Sequence, residues 1–240
     1  MIIKELIVDS LDDTTFSSNP ILLTIMKNRL ILKQQLLSTI KKTAIKNKIN
    51  PEYPLTDSII LKSESREIEE ITKDLESLNP FPKPLEFTSS LLEGIWQLHY
   101  SNAREIRSLN KLPLGFELKR VYQLITLENS SFFNIAFVQH KSKFINGYVK
   151  VTATFCPKIE GKEILPKDTI NVNFEKRFIS IEKIAGINTP ILDPIKEFNA
   201  RNPEGRIPSL KITYIDNDLR IGRGGDGSLF ILSKQNQLLS

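Results

Sequence analysis

Two periods of hydrophobic spacing divide the chain. Through the stretch from Pro20 to Asn47, Leu22, Ile25, Met26, Leu30, Leu36, Leu37, Ile40 and Ala44 recur every three to four residues, and Pro20 stands where a first helical turn tolerates it. That spacing predicts one long amphipathic helix. After the break "INPEYPLTDS", the stretch "SESREIEEITKDLESLNPFPKP" keeps Ile68, Ile71, Leu75 and Leu78 on one face with acids on the other, and Asn79-Pro80 stops it. From Leu91 onward the period falls to two. "GYVKVTATF" sets Val149, Val151, Ala153 and Phe155 against Tyr148, Lys150, Thr152 and Thr154, while "TINVNF" alternates Ile170, Val172 and Phe174, and "LKITY" alternates Leu210, Ile212 and Tyr214. Further strands are expected at about 93–100, 119–127, 132–139, 177–184, 218–223 and 228–233. Roughly eight or nine strands with mostly short links and no crossover helices make a meandering antiparallel barrel. The fold class is therefore α+β, an N-terminal helical hairpin packed against an antiparallel β-barrel. The helical region spans 1–88, the barrel 89–235, and 236–240 is a flexible tail.

If alternation means dry inside and wet outside, the inward residues are Trp96, Leu98, Tyr100, Val121, Ile125, Ile135, Phe137, Val149, Val151, Phe155, Ile170, Val172, Ile212 and Tyr214. This set holds no carboxylate pair, no Ser/His/Asp arrangement and no metal cluster, so catalysis has nothing to stand on. An aliphatic and aromatic lining suits an isoprenoid or acyl chain held by burial, and a barrel of this size can hold one small ligand or be filled by its own side chains. Two connections are long enough to matter. Residues 101–118 follow the first strand and read either as a lid, with Leu109, Leu112, Leu114 and Phe116 touching an apolar guest, or as a surface loop pinned by its own leucines. Residues 185–208, with Pro190, Pro194, Pro203 and Pro208, are expected to cap the other end.

Composition narrows the function further. With 40% hydrophobic and 25% charged residues the chain is ordinary for a globular protein, and no apolar run approaches the roughly 18 residues of a membrane-spanning helix. The N-terminus places Asp9, Asp12 and Asp13 early and lacks signal- or transit-peptide character, so the expected location is the cytoplasm. Cys156 is the single cysteine, and His99 and His140 lie far apart, so neither a disulfide, a metal nor a cofactor is expected. The net charge of +5 is uneven: no acid occurs between Thr14 and Pro51, where Lys27, Arg29, Lys33, Lys41, Lys42, Lys46 and Lys48 gather. Such a basic helix either lies on anionic lipid or packs its apolar stripe on its own domain. No nucleic-acid motif accompanies the charge, so nucleic acid is not an expected partner.

Near the C-terminus, "DLRIGRGGDGSLFIL" puts Gly222, Gly224 and Gly227 at the G-x-G-x-x-G spacing. A phosphate cradle needs a helix leaving that loop. Ser228 to Leu232 leaves as a short apolar run instead, so the glycines read as a turn between strands.

The opening strand, "LLEGIWQLHYS", carries Gly94-x-Trp96, and in this it resembles lipocalins. Together with "ITKDLESLNPFPKPLEFTSS" before it and "ITYIDNDLRIGRGGDGSLFIL" at the end, it resembles more narrowly the plastid lipid-associated protein (fibrillin) family, over roughly residues 30 to 235. The resemblance implies a lipocalin-like barrel closed by Gly94, Trp96 and an arginine from a late strand. Counting Leu219 and Ile221 as inward makes Arg223 the inward arginine and turns Arg220 out; alternatively both make surface ion pairs. With strands alternating up and down, the first strand begins where the 218–223 strand ends, so the glycine turn is expected beside Trp96. The resemblance also implies noncatalytic binding of prenylquinones, carotenoids or related lipids, peripherally on thylakoid membranes or lipid droplets. The competing expectation is a scaffold that docks a prenylquinone-pathway enzyme, its barrel filled.

Overall fold

The computed structural model describes residues 20–158, 167–200 and 205–239. Of the sequence-based expectations, residues 1–19 of the helical region, Pro203 and the last residue of the tail lie outside them. Helix α1 runs Pro20–Lys46 and α2 runs Lys62–Ser77, with short helices α3 (Pro84–Phe87) and α4 (Arg104–Leu109). The strands are β1 (Leu55–Thr56), β2 (Gly94–Ser101), β3 (Phe116–Thr126), β4 (Ser131–His140), β5 (Ile145–Pro157), β6 (Thr169–Ile184), β7 (Ile187–Asn188), β8 (Lys196–Asn199), β9 (Ser209–Ile215), β10 (Leu219–Gly224) and β11 (Leu229–Gln235). Eight of these close a lipocalin-like antiparallel barrel in the order β2-β11-β10-β9-β6-β5-β4-β3, with β3 returning to β2. The other three are additions: β1 lies parallel to the end of β2, and β7 and β8 pair with the far half of β6.

The helical hairpin packs on the outside of this barrel. Leu36, Ile40 and Ala44 of α1 and Ile68, Ile71 and Leu75 of α2 form one cluster with Tyr100, Tyr214, Leu219, Ile221, Leu229 and Ile231. A separate cluster fills the barrel interior, built from Trp96, Leu98, Val121, Ile125, Phe132, Ala136, Ala153, Ile170, Val172 and Leu232. Strands under the hairpin are thus dry on both faces, which removes the alternation that would distinguish inside from outside. Ion pairs fasten the hairpin: Lys46 to Glu64 at 2.7 Å, Lys33 to Asp216 at 2.6 Å, and Arg223 to Glu76 at 2.8 Å and to Glu69 at 3.0 Å. The first turns of α1 pack on little: Ile21, Leu23, Ile25, Met26, Leu30 and Ile31 are each at least 39% exposed.

The structure corrects one strand count. Where the sequence suggests two strands at 169–174 and 177–184, β6 is a single strand of 16 residues. Its ladder with β5 slips between Val151 and Ala153, which bends the strand without ending it. One reversal fewer means that β2 and β10 run in the same direction, each antiparallel to β11 between them. Trp96 therefore lies level with the start of β10. The glycine turn after Gly224 belongs to the opposite end, where Leu229 N–H donates to Asn102 Oδ1 at 2.7 Å. Residues 185–208, expected over the Trp96 end, likewise leave β6 at the same end as residues 101–118.

Candidate functional site

At one end the barrel is sealed. Leu92 packs with Ile212 and Ile215, backed by Phe81, Leu85, Leu91 and Leu127. Trp96 is fully buried just inside, its Nε1–H donating to Leu92 O at 2.8 Å. Gly94, where β2 enters, has φ +116°, a conformation that strains any other residue, and a Cβ there would meet Lys234 Cε at 3.1 Å. The arginine on the indole is Arg220, whose guanidinium carbon lies 4.9 Å from the ring centroid. This reverses the sequence assignment. Leu219 and Ile221 point outward under the helices, so Arg220 between them points in and Arg223 points out to Glu76 and Glu69.

Arg220 is 3% exposed and donates through NH2 to Gln123 Oε1, while Gln123 Nε2 donates to Asn134 Oδ1 at 3.0 Å. Among the described residues its Nε–H has no partner and no carboxylate pairs with it. Burial alone pushes its pKa down to about 9. Beside it, Leu92, Gln123, Ile125, Phe132, Phe155, Ile170, Val172, Leu210 and Ile212 line a cavity of about 30 Å³, enough for a water molecule or two and not for a lipid. The closed half of the barrel is filled.

The other half is open. Val149 and Val151 pair with Ala136 and Asn134 on one side and with Ile179 and Arg177 on the other, so both valines face the barrel axis. They are only half-buried, and Ile179 is 38% exposed. The connection 101–118 partly covers this mouth. Ile106 and Leu109 of α4 pack on the interior cluster, and Asn110 Nδ2 anchors the turn to Thr56 Oγ1 at 2.6 Å. Leu112 and Phe116 are half-buried, with Phe116 edge-on to His140 at 5.5 Å, and Leu114 is 84% exposed and covers nothing. Ile106 is not among the expected lid residues; the one sequence signal for it is its i, i+3 spacing with Leu109, too short a pattern to define a helix.

Of the fourteen expected inward residues, Trp96, Leu98, Val121, Ile125, Phe155, Ile170, Val172 and Ile212 stand inside with Val149 and Val151, and four do not. Tyr100 and Tyr214 face the helices because β-bulges precede them: the ladders slip between Ile231 and Leu232 and between Ile221 and Gly222, leaving His99 and Thr213 as extra residues. Each bulge turns the following side chain to the other face. Ile135 and Phe137 also point outward, where they join Tyr122 under Ile95, Phe133, Tyr148 and Leu238. Strand β4 is apolar on both faces, and its inward residues are Phe132, Asn134, Ala136 and Val138.

In the glycine turn, the N–H groups of Gly224, Gly225 and Gly227 donate to Ser228 O, Ser209 O and Gly224 O at 2.8–2.9 Å, and Ser228 N–H donates to Asp226 Oδ1 at 3.1 Å. The glycine amides are spent on bonds within and beside the turn and do not converge on a phosphate.

Known proteins share this sequence pattern. The profile of the PAP_fibrillin family matches residues 32–233. The chain is similar to a "Plastoglobulin-1, chloroplastic" of Pisum sativum, 30% identical over 214 residues that cover 74% of this chain and 57% of that one. It is similar to a "Light-induced protein, chloroplastic" of Solanum tuberosum, 28% identical over 218 residues, 78% of this chain and 65% of the other. A "Chromoplast-specific carotenoid-associated protein, chromoplastic" of Cucumis sativus is 31% identical over 201 residues, 70% of this chain and 60% of its own length. The chain spans less than two thirds of the length of these relatives.

Proposed function

Because this chain belongs to the PAP_fibrillin family, we propose that it holds an apolar lipid at the open half of its barrel, without chemistry, while peripherally attached to a membrane. The observation that carries this reading is an apolar wall, Val149, Val151 and Ile179, turned toward the barrel axis yet left accessible. Burying such a wall under a hydrocarbon guest is favourable at about 25 cal/mol per Å². The names of the relatives, carotenoid-associated and plastoglobulin among them, support an isoprenoid or acyl guest and a setting at photosynthetic membranes or lipid droplets. A prenylquinone or carotenoid fits the aliphatic and aromatic surroundings.

A second reading has its own observation. The cavity beside Arg220 in the closed half is about 30 Å³, which favours a filled barrel serving as a scaffold for another protein, such as an enzyme of prenylquinone synthesis. Mass spectrometry of lipids retained by the purified protein separates the two. A stoichiometric isoprenoid or acyl lipid is the expected result, and a lipid-free protein that captures an enzyme would favour the scaffold.

A further inference from the structure

The open end also carries exposed apolar surface. Three connections meet there: the β4–β5 turn, the β6–β7 turn and the short turn Pro190–Leu192. Ala185 N–H donates to Phe144 O at 2.6 Å, Ile184 pairs with Ile187, and Thr189 N–H donates to Glu182 O at 2.9 Å. These bonds gather Phe144, Ile184, Ile187 and Ile191 into one tip, where they are 64%, 40%, 72% and 90% exposed. Single exposed hydrophobics are ordinary, but four large ones on one projection mark a contact surface. Around the tip stand Lys141, Lys143 and Lys183, none within ion-pairing distance of a carboxylate among the described residues. Of the nearby acids, Glu197 pairs with Lys176 at 2.5 Å, while Glu182 and Asp193, which accepts the Tyr148 hydroxyl, keep their charge, so the three lysines leave the collar with a net positive charge.

We infer that this tip docks on a bilayer surface containing anionic lipid, which seats the open half of the barrel against the membrane. Apolar side chains at the apex enter the boundary between headgroups and acyl chains, and the lysines behind them meet phosphate. A convex tip suits a deformable lipid surface better than a protein groove. The exposed start of α1 belongs to the other end of the molecule, since Lys33 ties that helix to Asp216 and Asp218 in the β9–β10 turn, beside the sealed end. Docking through α1 would turn the mouth away from the membrane. The inference deepens the lipid-holding reading and rests on it for its purpose, since a mouth against the bilayer gives a lipid a path that avoids water.

The test is flotation of the full chain with phosphatidylcholine vesicles, with and without phosphatidylglycerol. The triple variant Phe144→Ser/Ile187→Ser/Ile191→Ser should lose at least about tenfold in partitioning. Lys141→Ala and Lys143→Ala should each weaken the phosphatidylglycerol-dependent part by about fivefold, more at low salt. Leu23→Ser/Ile25→Ser/Met26→Ser on α1 should float as the wild type does. Should the triple variant lose its fold by circular dichroism, Ile191→Ser alone, at the most exposed position, gives the same test. A tip variant that floats like the wild type, or loss confined to the α1 variant, overturns the inference. So does a wild type that floats on neither vesicle; lipid retained by the purified protein then decides the lipid-holding reading by itself.

Discussion

At the residue scale the decisive position is Arg220. It is buried without a counter-charge, held by the Trp96 face and one bond to Gln123. An unpaired cation so placed gives little net stability, because desolvation offsets most of what the aromatic face returns. Arg220→Met, which keeps the volume and removes the charge, should therefore cost at most about 2 kcal/mol, mainly for the orphaned Gln123 oxygen. Arg220→Ala adds a cavity against the indole and should cost about 2–4 kcal/mol, and Trp96→Ala about 3–5 kcal/mol. Urea unfolding of the three variants tests the ranking; equal losses for Met and Ala would mean that the charge holds the seal. His99 gives a pH signature. Burial depresses its pKa to about 4, and its Nε2 lies 2.7 Å from Ser233 Oγ. The neutral ring favours the folded state above the ordinary histidine value, and that contribution fades as pH falls from about 6.5 toward 4, up to about 2–3 kcal/mol in all. Melting curves at pH 7 and pH 5 should show the loss, and His99→Gln should flatten it.

At the element scale, α1 divides into a packed half and an unpacked one. Leu36→Ala or Ile40→Ala should each cost about 2–4 kcal/mol because both side chains are buried against α2 and the sheet. Leu23→Ala or Ile25→Ala, on exposed turns, should stay within about 0.5 kcal/mol. Denaturant midpoints of these variants measure the division, and a large loss at Leu23 would mean that the first turns are covered in solution. The sequence showed α1 as a helix but not where its support ends, because the apolar stripe continues unchanged through both halves. The same limit explains the other differences. Periodicity located α1, α2 and the barrel strands within a few residues, since long regular patterns leave few alternatives. It could not separate the inside of the barrel from an outer face dried by helices, which is how Leu219 and Ile221 came to be counted inward. Nor does it register a one-residue bulge, so Tyr100 and Tyr214 were carried to the wrong face. The slip within β6 breaks the alternation as a chain reversal would, and one reversal more or fewer exchanges the ends at which the glycine turn and residues 185–208 lie.

At the scale of the whole molecule, the barrel is packed at the Trp96 end and open at the other, and the two ends assign different parts to a guest. On the lipid-holding proposal a guest would enter past Val149 and Val151 and stop where the interior is filled, with the only tryptophan of the chain at the far side of that packing. A conjugated quinone seated in the mouth should therefore quench Trp96 saturably but incompletely, while quinone adsorbed outside should give no stoichiometric end point. Val151→Phe separates the readings. If the mouth is a cavity, the larger ring occupies the guest's place, abolishes saturable quenching and changes stability by less than about 1.5 kcal/mol, since a half-buried side chain has room to turn. If the mouth is packed in solution, the wild type should show no saturable quenching and the same substitution should overpack the wall, costing about 1–3 kcal/mol. Titration of both proteins with a water-dispersible quinone, beside their urea midpoints, gives the answer. Saturable quenching that survives Val151→Phe would put the guest somewhere other than the barrel mouth.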